Sequence, residues 1–469
     1  MPTLRFVTST SPSPKSGLRR RIPLVAIGIV AVVAVGLVWW SNSGGGNQTI
    51  APAAPGTGAV PPIGGSSPAT LVRIDDAVGI EVLDDAGLVV STIAGASTEQ
   101  SLRVVGGGLL VDSKIEEGVV LFYDVRAGTQ RYADTEMNRG VAILFGDDLL
   151  VVADPTDGPA VVIEATTGSA RSVAAGLGFD PDTRYAGAFP NAERDTVVLT
   201  PSEGENLSSA VIPADGLDAG WAASGVVNDV RAGVALVVDP HISRTGELHL
   251  ESRDGPIGRA IVIDGSFAGG AVVAEASALV VTRDGHLLDI EASAGAATDI
   301  GMLDVGGVDS VRRVWDDRVF VVGSSASVLI DHAGAVLRRW EQHDGESVGI
   351  VDRGTRCAVV QPGGAGGRPG VGTELIDLAT GTTFADVPAA PTPLYGDGCS
   401  LAAPGDAPFA VVDGEVVEVA DPDVHQVLAA DAGSRRLLVT RGAAGELGVL
   451  DIDSGGIVDL PAGDYRFVP

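Results

Sequence analysis

The stretch Thr373–Val387, TELIDLATGTTFADV, decides how the chain is read. An apolar run ends at Asp377, three residues lead to Gly381, and a second extended run follows through Phe384. Alternating apolar and polar residues on both sides of a Thr-Gly turn specify a two-strand hairpin. The glycine supplies the positive φ that a tight turn demands. The pattern recurs in LFYDVRAGTQRYAD from Leu121, VVIEATTGSARSV from Val161, HLLDIEASAGAATDIG from His286 and GVLDIDSGGIVDL from Gly448. A hairpin that repeats along a chain of 469 residues is the signature of a repeat architecture.

Working outward from the hairpin, a unit of four strands emerges. In the clearest case Val311–Val314 is followed by a turn at Asp316-Asp317. Arg318–Val322, Ser327–Ile330 and Ala335–Trp340 complete the unit. A second such unit starts at His425. The hairpin Asp or its equivalent falls at 84, 124, 164, 214, 254, 290, 331, 377, 418 and 451, in steps of 33 to 50 residues. That step is the length of a four-stranded propeller blade. The units near 84, 214, 254 and 418 are the least regular and read in part as insertions. The expectation is therefore an all-β domain over 71–469, a single β-propeller of about eight blades within a range of seven to ten. A β-sandwich or an open solenoid is the competing architecture. The C-terminal Tyr465-Arg466-Phe467-Val468 has no unit of its own, and the first unit starts late, at Leu71–Ile74. A ring that seals by pairing its last strand into its first blade uses both and removes an exposed edge.

Hairpins of the form apolar-Asp-x-x-Thr-Gly resemble the PQQ-like and WD40-like repeats of bacterial propellers, here of actinobacterial, membrane-anchored type. The resemblance covers roughly 71–468 and is clearest at Ile376–Gly381, Glu164–Gly168 and Asp451–Gly455. In quinone-dependent dehydrogenases of that class a tryptophan after the Thr-Gly docks the blades. The matching positions here hold Phe384, Val173 and Val458, so the resemblance implies the fold without the quinone. Trp315-Asp316 opens a turn and so does not match a WD40 strand end.

Upstream, Ile22–Trp40 is nineteen residues without a charge, as a helix roughly 28 Å long and close to the thickness of a hydrocarbon core. Arg19-Arg20-Arg21 before it place residues 1–21 in the cytoplasm, as a short polar arm. A cleaved signal peptide is the alternative, but Val38-Trp39-Trp40-Ser41 lacks the small residues of a cleavage site. Residues 41–70 are rich in Gly, Pro, Ala and Ser and read as a linker. The chain is thus expected to be a single-pass protein of the cell membrane with its C-terminal domain outside the cytoplasm.

The chain carries 31 basic and 61 acidic residues, and no acidic residue occurs in the first fifty. So acidic a domain repels phosphates, which argues against nucleic acid as a partner. Asn47-Gln48-Thr49 and Asn206-Leu207-Ser208 match a glycosylation pattern that in a bacterium arises by chance.

No motif for nucleophilic catalysis, phosphate binding or a cofactor stands out. G-x-S-x-G is absent, and Gly106-Gly107-Gly108 leads into a strand where a phosphate loop leads into a helix. The histidines His241, His249, His286, His332, His343 and His425 lack metal-site spacing. His241 and His249, with Asp239 and Glu247, make at most a weak metal site. Asp451-Ile452-Asp453-Ser454-Gly455 looks like a calcium loop but lacks its closing Glu, and a hairpin turn explains it. No catalytic, cofactor or metal residue is therefore assigned. Cys357 and Cys399, the two cysteines, lie one blade step apart in an oxidising compartment, as a bridge between adjacent blades or as two buried thiols. The function expected is a membrane-tethered, non-enzymatic binding scaffold with a protein or envelope ligand. An oxidoreductase or hydrolase with a central-channel site is the alternative.

Overall fold

The computed structural model describes residues 70–468, less a set of connecting segments, the longest being 94–100, 113–119, 135–140, 153–159, 202–207, 240–246, 343–347, 363–372, 394–400 and 404–408. The arm, the apolar stretch 22–40 and nearly all of the linker lie outside the described residues. Among the described residues no helix is long and apolar enough to cross a membrane.

The described chain forms ten four-stranded antiparallel sheets in a propeller-like arrangement. We number them along the chain. Sheet 1 spans Thr70–Asp75, Gly79–Leu83 and Val89–Ile93, and sheets 2 to 10 begin at Ser101, Val141, Tyr185, Val226, Phe267, Val308, Val348, Thr392 and Val424. Ten is the upper end of the range the repeat implied, above the eight it favoured. Each irregular unit is a sheet with a local cause. Sheet 4 ends in a two-residue outer strand, Trp221–Ala222, and the outer strand of sheet 5 shifts register between Ile257 and Ile261, where Gly258 holds a left-handed φ of 74°. Sheet 9 is built from strands of two to four residues, with its hairpin between Val412 and Glu415, ahead of 418.

Sheet 1 is the seal. Its order places the C-terminal strand Asp464–Val468 innermost, beside Thr70–Asp75, with Thr70 opposite Val468 and Ile74 opposite Asp464. First and last segments of the domain thus share one ladder, as closure required. Apolar clusters join sheet to sheet: 10 with 1 through Leu438, Leu460, Phe467 and Ile80, then 3 with 4, 4 with 5, 5 with 6, 6 with 7 and 7 with 8. The core is a series of seams, each burying one face of two neighbouring sheets.

The repeated hairpin turns out to do two jobs. Its Asp caps the turn: Asp84, Asp331, Asp377 and Asp451 each accept from a backbone N–H two or three residues on. At Asp377 the carboxylate also accepts from Thr380 Oγ1 at 3.0 Å and from Arg356 Nε and Nη2 at 2.7 and 2.6 Å. The turn glycine then docks on the outer strand of the preceding sheet. A Cβ on Gly381 (φ 72°) would lie 2.8 Å from the Leu337 carbonyl oxygen, and one on Gly87 3.0 Å from Leu460. Only glycine suits both the backbone angle and the approach.

Outer-strand tryptophans fill two seams. Trp221 packs on sheet 5, and Trp340 packs on sheet 8, with Phe320 edge-on at 5.8 Å. Blade docking by tryptophan is therefore present at two sheets, displaced from the position after the Thr-Gly.

Within each sheet the first and third strands run in the same direction. First-to-second and third-to-fourth turns therefore share one rim, the near rim, on which Thr70 and Val468 also lie. Second-to-third turns and the links between sheets share the far rim.

Candidate functional site

The densest polar cluster among the described residues sits where the inner strands of sheets 4 to 7 reach the near rim. Arg313, near the end of the inner strand Val308–Trp315, has a side chain wholly without solvent exposure. Its Nε donates to Asp229 Oδ2 at 2.8 Å, and its two terminal nitrogens clasp both carboxylate oxygens of Glu193. The remaining two donors reach the carbonyls of Asp316 at 3.0 Å and Val230 at 2.6 Å. All five guanidinium N–H groups are used. Burial works against the charge, but Asp229 and Glu193 outweigh it and raise the Arg313 pKa above its ordinary value.

Arg231 adds a second cation. It pairs with Asp316 and donates to the Val273 carbonyl at 2.7 Å. Asn191 fixes the loop of sheet 4 by donating to Glu193 at 3.0 Å and Asp195 at 2.7 Å. Three turn residues here, Arg194, Ala232 and Asp316, hold left-handed φ of 59°, 48° and 45°. Strain of this kind persists only where surroundings over-determine it. With its donors saturated from within, Arg313 works as a clamp and has none left for an anion.

The nearest thing to a catalytic constellation is Ser224, His249 and Glu251 at the seam of sheets 4 and 5. Ser224 Oγ lies 2.9 Å from His249 Nε2 and 2.5 Å from Glu251 Oε2, while His249 Nε2 lies 3.2 Å from the same Oε2. Burial disfavours the Glu251 charge, but His249 and Ser224 outweigh it and lower its pKa. A nucleophilic triad puts the acid on one imidazole nitrogen and the serine on the other. Here both oxygens converge on Nε2, so the serine proton goes to Glu251 and the histidine relays nothing. The cluster ties Ser224 to the third strand of sheet 5.

The other histidines are dispersed. His286 Nδ1 pairs with Asp299 at 2.9 Å in sheet 6, His332 pairs with Asp317 in sheet 7, and His425 is exposed in sheet 10. His241 and His343 lie outside the described residues, so the pairing of His241 with His249 does too. The described residues hold no group of three metal-ligating side chains. In the calcium-like loop Asp451 accepts from Ser454 at 2.7 Å and Asp453 pairs with Arg435 at 2.9 Å, the bonding of a turn. Cys357 is buried at the start of a sheet 8 strand and carries no free thiol. Cys399 lies outside the described residues.

The network at the rim escapes sequence reading because its members are scattered, with 120 residues between Glu193 and Arg313. One signal was available: two adjacent arginines, Arg312 and Arg313, in the strand run Val311–Trp315, so that one of the pair faces inward by strand alternation.

No family model and no curated protein matches the chain. Solved structures to which it is similar include the dihydro-heme d1 dehydrogenase NirN, at 13% identity over 87% of this chain and 76% of that one, with a TM-score of 0.38. BamB from Moraxella catarrhalis is similar at 11% identity over 64% and 98%, TM-score 0.33. The C-terminal WD40 domain of Sif2 is similar at 11% over 77% and 97%, TM-score 0.37. The resemblance to WD40 and related propellers holds at the level of the fold. The ring itself rests on the sheet order and the seal.

Proposed function

We propose that the protein is a membrane-tethered, extracytoplasmic ring that acts as a non-enzymatic binding scaffold of the cell envelope. The observation that carries this reading is the pairing of Thr70 with Val468, which brings both ends of the domain to the near rim. A linker entering there from a helix at 22–40 leaves the far rim facing away from the membrane. The far rim also has the long connections, from Pro201 to Ala210, Val238 to Glu247 and Pro362 to Thr373. Near-rim turns are as short as Arg231 to Val234 and Trp315 to Arg318. Loops on a rigid frame are where propellers make their contacts. The partner is a protein or envelope component, and the acidity of the chain favours one with a neutral or basic face. A Cys357–Cys399 bridge fits the same reading, stapling the short-stranded sheet 9 to sheet 8.

The test is photo-crosslinking of the full-length chain in intact cells. A photoreactive residue is placed at Arg283 or Asp304 on the far rim, and at Asp331 or Asp453 on the near rim. Discrete adducts from far-rim positions, lost when 22–40 is deleted, are expected. Adducts from the near rim alone, or none from either, overturn the reading.

A further inference from the structure

In a ring built of repeats each sheet ordinarily touches only its two neighbours, and stability is a sum of repeat and nearest-neighbour terms. Arg313 breaks that rule. It stands on sheet 7 yet bonds Glu193 of sheet 4 and Asp229 of sheet 5. Arg231 of sheet 5 bonds sheet 6 at Val273 and sheet 7 at Asp316.

Contacts to the backbone of sheet 6 reinforce its seams with sheets 5 and 7. Asp229 accepts the Val272 N–H at 2.8 Å, and Asn228 accepts that of Gly270 at 2.7 Å. Inner strands approach so closely that a Cβ on Gly269 would lie 2.7 Å from Val311, and one on Gly270 2.7 Å from Leu236. Among the described residues, cross-sheet ion pairs elsewhere, such as Arg436 with Asp85 or Arg338 with Glu374, join two adjacent sheets at a time.

We propose that sheets 4 to 7 form one cooperative arc, locked at the near rim by Arg313 and Arg231. The arc holds the frame fixed under its far-rim connections. The physical reason is that loss of any one of the four sheets leaves a buried guanidinium or carboxylate short of its partner. Such a loss costs far more than a surface pair.

Native-state hydrogen exchange of the full chain, at denaturant below the global transition, reads this directly. The slowest amides of Thr196–Pro201, Val234–Val238, Ser277–Thr282 and Arg318–Gly323 are expected to follow a single isotherm. Glu193→Gln is expected to lower protection in all four strands by one shared factor, about tenfold, and to leave Arg436–Arg441 unchanged. Should that variant not fold, Asp316→Asn, which keeps a residue tolerant of left-handed φ, is expected to give the same shared loss at smaller size. Separate isotherms in the native protein, or a loss confined to the mutated sheet, overturn the proposal.

Discussion

Arg436 of sheet 10 donates to Asp85 of sheet 1 at 2.6 Å, across the seam where the ring closes. The same guanidinium lies 5.7 Å from the ring centroid of Phe467, on the strand that seals sheet 1. Asp85 is almost fully exposed, whereas Phe467 is wholly buried. The ion pair therefore contributes little, and the aromatic side chain contributes most of the closure.

From this follows a contrast between two variants. Phe467→Ala is expected to cost about 3–5 kcal/mol, while Asp85→Ala stays within about 0.5 kcal/mol. Chemical denaturation of the two, followed by tryptophan fluorescence, checks it. Equal losses would mean that the seal is electrostatic.

The turn glycines separate two effects that usually travel together. Gly381 and Gly455 have nearly the same φ, 72° and 68°, but a Cβ on Gly455 meets nothing within 4 Å. Gly455→Ala is expected to cost about 1–2 kcal/mol for the backbone angle alone. Gly381→Ala adds the collision with Leu337 and is expected to cost about 3 kcal/mol or more. If the melting temperatures fall equally, docking on the preceding sheet is not what holds the glycine there.

Asp377 gives the pH dependence. Arg356 lowers its pKa, helped by the Ala379 N–H and the Thr380 hydroxyl and opposed by burial. A depressed folded pKa stabilises the protein above the unfolded value, about 4, and the gain is lost as pH falls through the folded value. Asp377→Asn is expected to be less stable than the native protein by about 1–3 kcal/mol at pH 7. The gap should narrow below about pH 4. Urea midpoints at a series of pH values decide it, and a gap that does not change with pH would refute the role given to the carboxylate.

Six of the ten hairpins and the seal were legible in the sequence because both are written locally, while the units near 84, 214, 254 and 418 read in part as insertions. At Asp377 an Asp, a Thr-Gly and an alternating run lie within fifteen residues, the other regular hairpins keep an acidic residue and a turn glycine, and the leftover strand at Tyr465–Val468 had only one use. What stayed hidden depends on distance along the chain. Trp340 docks sheet 7 on sheet 8, yet it sits six positions past Gly334, beyond the place the motif marks. Glu193, Asp229, Arg231, Arg313 and Asp316 read singly as solvated charges, because nothing in their own neighbourhoods brings them together. The Ser224–His249–Glu251 cluster was invisible for the same reason. His249 was seen, but its partner lies 25 residues away across a seam.

The opposition of Thr70 and Val468 has one more implication. Neighbouring strands lie about 4.8 Å apart, so a few residues suffice to join the two ends of the domain into a closed loop. The polypeptide then has no privileged point of origin. A gene whose reading starts at Val226 and returns through a short joint to Ala222 should specify the same ring, differing only in which sheet is threaded last.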